Sequence, residues 1–210
     1  MGENDGRKSN QPQRRVYLDA FKIHVTEVTR SDFAEFLAAT GYQAQGWDAS
    51  GLENNGDLPV VNTLWSDADA YCRWSGMRLP TEAEWEKAAR GIDGRRYPWG
   101  NDWEVDKANT TEGGIGALAP VGSYPGGASP YSVLDMAGNA AEWVADYYDP
   151  AYYTYATDHN PPGPDRIMDR VLRGGSFAGP ANFATTYFRD SSHSARPNHR
   201  VGFRCVKPIK

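Results

Sequence analysis

Two acidic residues flank a Gly-Asn pair in the stretch LDMAGNAAEW, residues 134–143. Gly138-Asn139 is a turn signal, which argues against an amphipathic helix and favours a loop. Asp135 and Glu142 add carboxylates to the carbonyl oxygens of this loop. Ca²⁺ takes about six to eight oxygen ligands and mixes carboxylates with carbonyls, so these residues suit a calcium loop. The alternative is a metal-free turn in which the two acids accept hydrogen bonds from backbone N–H groups.

Other side chains that could do chemistry are scattered along the chain. The histidines stand at positions His24, His159, His193 and His199. Ser176, Asp190 and His193 have the residue types of a hydrolytic triad, but nothing in their spacing supports one. Two cysteines, Cys72 and Cys205, are too few for a disulfide-rich scaffold and too few for a zinc site by themselves. The residues alone therefore identify no catalytic centre.

The elements that position these residues begin with a strand and a helix. β-Branched and aromatic residues dominate Val16–Thr29, which predicts a strand. Phe33 and Phe36 then recur at helical spacing, and Gly41 stands at a stop position. We predict a loop over residues 42–59.

Two further helices follow that loop. The first is expected to open with Ser66 as its N-cap. The second is the clearest in the chain, since Thr81 and Glu84 form a capping box and Gly91 stops the helix. Beyond Gly91, short strand-like pieces alternate with long irregular segments, and RVLRGGSF and RVGFRCV are predicted to be strands.

This order of elements predicts a single α+β domain over residues 14–210, preceded by a flexible polar tail over residues 1–13. The chain has 210 residues, of which 40% are hydrophobic and 12% aromatic. That composition suits one domain whose core is built from large rings. The 22 glycines and 14 prolines favour much ordered loop.

Charge and hydropathy exclude several classes of function. The net charge of −5 and the lack of a basic cluster argue against nucleic-acid binding. No apolar run approaches the roughly 18 residues of a membrane span. The N-terminal residues lack the apolar centre of a signal peptide. The chain is cytoplasmic if this is its native start, and extracellular or surface-displayed if an export signal was removed.

Six motifs occur in an order that resembles the formylglycine-generating enzyme family, also called sulfatase-modifying factor domains. They are RLPTEAEWEKAARG, YPWGN, APVGSYPG, LDMAGNAAEW, RVLRGGSF and GFRC. The resemblance covers nearly the whole chain. It implies a variant of the C-type lectin fold, with a small twisted antiparallel sheet, two main helices and extensive ordered loops.

The resemblance assigns ligands to two calcium sites. In the first, it implies side-chain oxygens from Asp135 and Glu142 and backbone carbonyls from Gly138 and Ala140. A second candidate site would use Asn109 and Thr110. The family's aspartate there corresponds to Gly113, so Glu112 is expected to substitute for it if this site exists.

The resemblance also reveals what the chain lacks. The family oxidises a substrate cysteine to formylglycine with O₂ and a copper ion held by two cysteines, and thiolates suit Cu(I) because both are soft. The corresponding positions are Gly179 and Ala184, and a tryptophan of the site is replaced by Ala141. We therefore expect no copper. The resemblance implies a structural disulfide between Cys72 and Cys205.

The segment 177–200 covers the family's active-site surface. From Gly174 to Arg204 the chain has no Lys, Glu, Gln, Leu, Ile, Met or Trp, a composition similar to that of an antibody paratope. It also resembles the variable proteins of diversity-generating retroelements, although a loop of chance composition remains the alternative. The predicted binding residues are Ser176, Phe177, Asn182, Phe183, Thr185, Tyr187, Asp190, Ser192, His193, Asn198 and His199.

Two functional hypotheses follow. The first is a non-catalytic, calcium-stabilised module that binds a protein or small-molecule ligand at residues 177–200. The second is an oxidoreductase of the same family with an altered, non-cysteine centre that uses His193 or His199. We expect a monomer without nucleic-acid or membrane partners.

Overall fold

The computed structural model of the chain describes residues 1–165 and 168–209. Short helices and strands alternate with long ordered loops and several single 3₁₀ turns, and the predicted α+β class is confirmed. The helices are α1 (Arg30–Thr40), α2 (Leu52–Asn55), α3 (Trp65–Trp74) and α4 (Glu82–Arg90). The strands are β1 (Phe21–Ile23), β2 (Ala141–Tyr147), β3 (Asp169–Arg173), β4 (Asp190–His193), β5 (Val201–Phe203) and β6 (Val206–Pro208).

Four of the strands form the main sheet, in the order β4-β3-β2-β5. β2 pairs with β3 antiparallel, with Trp143 opposite Leu172. β2 pairs with β5 in parallel, with Trp143 opposite Phe203. β1 and β6 form a separate antiparallel pair in which Lys22 faces Lys207.

The core lies between helices α1 and α3 and the centre of the main sheet. Phe33 of α1 contacts the rings of Tyr71 on α3 and of Phe203 on β5, at centroid distances of 6.0 and 6.2 Å. Trp85 of α4 and Trp143 of β2 are fully buried. Each large ring removes much apolar area from water, which lets so few regular elements hold a domain together.

Capping chemistry sets the helix boundaries. α1 and α4 both begin with a capping box, formed by Thr29 with Asp32 and by Thr81 with Glu84. The predicted N-cap Ser66 is wrong. α3 begins two residues earlier because the Asp67 carboxylate accepts a hydrogen bond of 2.8 Å from the Leu64 backbone N–H.

The structure differs from the sequence predictions in three other elements. Of the strand predicted over Val16–Thr29, the named strand is only Phe21–Ile23. The predicted loop over 42–59 contains the short helix α2. Three helices of nine or more residues are present, where the resemblance implied two main ones.

The N-terminal residues, predicted to be a flexible tail, instead contact the domain. The Gly2 N–H donates to Glu86 Oε1 at 2.8 Å, and Arg90 Nη1 donates to the Gly2 carbonyl at 2.6 Å. Gly2 has φ +75° and a Cβ there would lie 2.6 Å from the Asn10 carbonyl oxygen, so the segment folds closely on itself. Asn10, the residue that Gly2 approaches, is itself buried.

Cys72 of α3 and Cys205, between β5 and β6, form a disulfide. The bond joins the second long helix to the C-terminal strands. Across the residues that the structure describes, we find no helix with the length and apolar character needed to span a bilayer.

Candidate functional site

The predicted calcium loop leads directly into β2, and its last acid is fully buried. Arg204 donates to both carboxylate oxygens of Glu142, from Nη2 to Oε1 at 2.7 Å and from Nε to Oε2 at 2.8 Å. Trp85 Nε1 donates to the same Oε2 at 2.8 Å. Because both members of the pair are without exposed surface, removal of either one would leave the other without its direct partner in a site closed to water.

A second buried acid, Glu27, reaches the loop from the other end of the chain. Its carboxylate accepts from the Ala140 backbone N–H at 3.0 Å and from Asn139 Nδ2 at 3.1 Å. Glu27 is only 2% exposed. The sequence prediction missed this residue, because it lies 112 positions before Asn139 and no local motif marks it.

Asp135 is the third acid of the cluster and opens the loop in the left-handed region, with φ 58°. Its Oδ2 accepts from the Gly122 N–H at 2.7 Å. Gly138 also has a positive φ, and a Cβ at this position would lie 2.2 Å from the Asn109 carbonyl oxygen. The Gly-Asn signal in the sequence therefore corresponds to a close backbone approach that only glycine allows.

Acidic side chains outnumber basic ones among the buried groups at the loop. Three buried acids, Glu27, Asp135 and Glu142, surround one buried arginine, Arg204. Burial raises the pKa of Glu27 well above its usual range, and the neighbouring carboxylates of Asp135 and Glu142 add to that rise. Burial also raises the pKa of Asp135. A dication at this position would offset the surplus negative charge.

Two backbone carbonyl oxygens of the loop stand out among the described hydrogen bonds. Outside the strand ladders, no described N–H or side chain donates to the carbonyl oxygens of Gly138 or Ala140. No cluster of three His, Cys, Asp or Glu side chains with metal-binding geometry occurs within the described ranges. A calcium ion would thus depend on the two carbonyls together with Asp135 and Glu142, a hard-oxygen set that fits Ca²⁺. The calcium site remains a prediction.

The second candidate calcium site has one unsatisfied oxygen. Asn109 is 1% exposed, and its Oδ1 has no hydrogen-bond partner among the described residues. Thr110 Oγ1 donates to Glu112 Oε2 at 2.7 Å, and the other oxygen of Glu112 accepts from the Ala181 N–H at 2.8 Å. Glu112 thus lies beside Thr110, although the structure holds it by hydrogen bonds rather than as a free ligand. This site, too, stays a prediction.

Several predicted binding residues line one cleft, next to the calcium loop. The cleft has a volume of about 220 Å³, and Gly179 and Ala141 form part of its wall. The predicted residues that line it are Ser176, Phe183, Asp190 and Asn198, and Arg200 joins them. Asp190 and Arg200 are exposed, and neither takes part in an ion pair among residues 1–165 and 168–209.

The remaining predicted surface residues are spread more widely. Asn182, Phe183 and Tyr187 line a neighbouring cavity of about 340 Å³. The rings of Phe177 and His199 lie 6.4 Å apart. Ser192 and His193 belong to β4 and line neither cavity.

Thr185 lines the same neighbouring cavity, but almost none of its surface is exposed. It is 1% exposed, because the chain turns inward after the 3₁₀ turn Ala181–Phe183 and buries residues 184–186. Ala184, at the second copper-ligand position of the family, is buried beside Ala108 and Ala137.

The neighbouring cavity contains residues that the sequence prediction missed. Glu3, Asp5, Arg7 and Asn10 form one of its walls, and the Arg7 guanidinium lies 4.7 Å from the Phe188 ring centroid. The polar composition of these N-terminal residues favours a tail and gives no signal for a site.

The hydrolytic arrangement considered from the sequence is absent from the described residues. His193 Nδ1 accepts a hydrogen bond from the Ala195 N–H, and Asp190 accepts one from the Ser191 N–H. Neither side chain is hydrogen-bonded to Ser176. His199 Nε2 accepts from Arg200 Nε at 3.2 Å, so the two histidines of the region make local contacts.

Comparison with known families decides the classification. The sulfatase-modifying factor enzyme 1-like domain matches residues 1–209. The chain belongs to this family. It is 33% identical over 269 aligned residues to the formylglycine-generating enzyme of Streptomyces coelicolor, covering 98% of this chain and 84% of the relative. It is equally 33% identical to the mouse inactive Cα-formylglycine-generating enzyme 2, covering 96% of this chain and 80% of the relative.

Solved structures of similar shape confirm the family fold. PvdO from Pseudomonas aeruginosa superimposes with a TM-score of 0.86 at 24% identity, covering 100% of this chain and 90% of that one. Treponema denticola variable protein 1 superimposes with a TM-score of 0.80 at 24% identity, covering 99% and 91%. At this identity the likeness concerns the fold alone. The resemblance drawn from the six motifs is therefore confirmed.

Proposed function

We propose that this family member is a non-catalytic, calcium-stabilised module that binds its ligand in the cleft beside Ser176. One observation carries the proposal. The chain has two cysteines in total, and they are bonded to each other as Cys72–Cys205. No thiolate is left for the family's two copper-ligand positions, which correspond to Gly179 on the cleft wall and to the buried Ala184. Cu(I) prefers soft ligands such as thiolates, so we expect no Cu(I) to bind there.

The calcium loop and the cleft are mechanically joined, which gives the metal a role in recognition. The Phe177 N–H donates to the Asn139 carbonyl at 2.8 Å, and the Ala141 N–H donates to the Arg200 carbonyl at 2.8 Å. Both sides of the cleft are thus attached to the loop. An ion that fixes the loop would also fix the recognition surface, as preorganised binding sites require.

The surface itself favours recognition of a polar ligand. Asp190 and Arg200, which form no ion pair with any residue that the structure describes, line the same cleft as Phe183 and Phe188. Aromatic anchors beside small polar side chains are typical of adaptable binding surfaces. The inactive relative from mouse supports a non-catalytic member of the family, and the variable protein supports the use of this fold with a changed surface. We propose a protein or small-molecule ligand and a monomeric chain.

Metal analysis of the purified protein tests the proposal. We expect calcium in at least equimolar amount and neither copper nor iron. Stoichiometric copper or iron would contradict it and would favour the oxidoreductase hypothesis.

Comparison of sibling genes tests the location of the surface. If the chain is a retroelement-diversified variable protein, substitutions should concentrate in residues 177–200. Variation spread evenly over the chain would contradict that part of the proposal.

A further inference from the structure

Strand β1 has one free edge. Among the described residues it pairs with β6 alone, and the Lys22↔Lys207 pair lies between the hydrogen bonds His24 N–Cys205 O and Ile209 N–Ala20 O. Backbone groups alternate in direction along a strand, so those of Phe21 and Ile23 point away from β6. Outside the strand ladders, no described group hydrogen-bonds to the N–H or C=O of these two residues. An edge of this kind is a template for another strand.

A groove runs along this edge. It has a volume of about 520 Å³, and its walls are more apolar than polar. Leu18, Phe21, Ile23 and Val25 form one side, and Val133 forms part of the other. Val25 lines this groove and is 55% exposed to solvent. The groove has no lining residue in common with the cleft at Ser176.

The charges beside the groove are positive. Lys22 and Lys207 are exposed and stand directly opposite each other across the two strands, where like charges destabilise a sheet. Lys87 also lines the groove, and its ammonium lies 5.4 Å from the Tyr131 ring centroid. None of these lysines forms an ion pair within the described part of the chain.

Asp19, the acidic residue among those that line the groove, has its partners outside the groove. The Asp19 carboxylate accepts a hydrogen bond from Asn160 Nδ2 at 2.9 Å and lies 3.5 Å from His159 Nε2. The groove therefore has unpaired cations on a protein whose net charge is −5.

We propose that the free edge of β1 docks an extended, acidic peptide segment of another polypeptide, which adds as a third strand to the β1–β6 pair. Its backbone would hydrogen-bond to Phe21 and Ile23. Its apolar side chains would occupy the groove, while acidic side chains at alternate positions would meet Lys22 and Lys87. Backbone pairing supplies affinity and the alternating side chains supply selectivity, as in other cases of strand addition.

The test uses the whole chain and a defined probe, a fluorescein-labelled heptapeptide that alternates valine with glutamate. Fluorescence anisotropy should show saturable binding, and the Phe21 and Ile23 amides should exchange more slowly with solvent when the peptide is bound. The double variant Lys22→Glu/Lys87→Glu should raise Kd at least about tenfold, a loss of about 1.4 kcal/mol. Lys8→Glu makes the same change of charge at one site outside the groove. It should leave Kd unchanged.

Controls separate strand addition from charge attraction. The same peptide with every backbone amide N-methylated should not bind, since neither of its edges has an N–H to donate to β1. Binding that survives N-methylation, or that is equal in the double variant, would overturn the proposal. A dimer of this chain that dissociates in the double variant would also overturn the proposal, because a second copy of the chain would then occupy the groove.

Discussion

The backbone N–H of Phe177 donates a hydrogen bond to the carbonyl of Asn139, with a nitrogen–oxygen distance of 2.8 Å. This bond attaches the first residue of the predicted recognition segment to the middle of the predicted calcium loop. The side chain of Asn139 also donates a hydrogen bond to the buried carboxylate of Glu27. Stability of the loop and order of the binding surface should therefore change together.

Removal of calcium should lower the melting temperature. At a free calcium concentration about 100 times Kd, binding contributes about 2.7 kcal/mol. For a chain of this length that corresponds to roughly 5–10 °C in Tm. We expect this decrease when EGTA is added to the protein and its reversal by excess calcium. Asp135→Asn should lower the starting Tm and reduce the response to EGTA, whereas an identical Tm with and without EGTA would contradict a structural calcium ion.

Loss of the Glu142 charge should destabilise the fold strongly. Glu142→Gln removes the carboxylate that contacts the buried Arg204 directly, and breaking a buried pair of this kind costs about 3–5 kcal/mol. Urea unfolding measures the difference. Glu104→Gln is the matched control, because Glu104 pairs with Lys107 at the surface and its loss should cost no more than about 1 kcal/mol. Equal effects of the two substitutions would be inconsistent with the buried pair.

Asp146 should make the protein less stable as pH rises. This buried carboxyl accepts a hydrogen bond from the Glu82 N–H at 2.7 Å, and burial together with the nearby Glu82 charge raises its pKa to about 8. The unfolded carboxyl ionises near its ordinary value of 3.8, so the unfolded state loses its proton first. The contribution of Asp146 is fully present below about pH 4 and is lost as pH rises towards 8.

Asp146→Asn removes this ionisation and isolates its effect. The free energy of unfolding of the unsubstituted protein should fall between pH 5 and pH 8 by about 1–3 kcal/mol more than that of the variant. Urea titrations at both pH values give the comparison. Parallel pH profiles would show that Asp146 ionises normally in the folded protein.

Copper affinity should be restorable by two substitutions. A Cβ at Gly179 would lie 3.5 Å from the Ser176 carbonyl oxygen and 3.7 Å from Phe183 Cδ2, both ordinary contacts, so the backbone there accommodates a Cβ. Gly179→Cys/Ala184→Cys should bind one Cu(I) in competition with a chromogenic chelator. The matched variant Gly179→Ser/Ala184→Ser and the unsubstituted chain should not. Equal Cu(I) binding by the unsubstituted chain would contradict the proposed loss of the centre.

The sequence predicted those parts of the molecule that depend on local signals. Thr81 and Glu84 marked the start of α4, because a capping box involves residues three positions apart. Gly138-Asn139 marked a tight turn, and both residues have positive φ. Glu27 escaped prediction, since its contact with the loop joins residues more than a hundred positions apart. The burial of Thr185 was not predicted, because a polar residue in an irregular segment carries no signal for its direction.

The N-terminal segment shows the same limit of local reasoning. Its polar composition favoured a tail, yet the backbone of Gly2 satisfies Glu86 and Arg90 on α4. Buried polar groups need partners, and those partners came from a segment with no hydrophobic pattern of its own.

The most direct test of the central claim is an assay of cysteine oxidation. The purified protein is incubated with Cu(I), O₂ and a peptide that contains one cysteine, and the peptide is followed by mass spectrometry for conversion of thiol to aldehyde. We expect no aldehyde above a protein-free control, while calcium remains bound to the chain. Repeated turnover of the peptide to its aldehyde form would contradict a non-catalytic binding module.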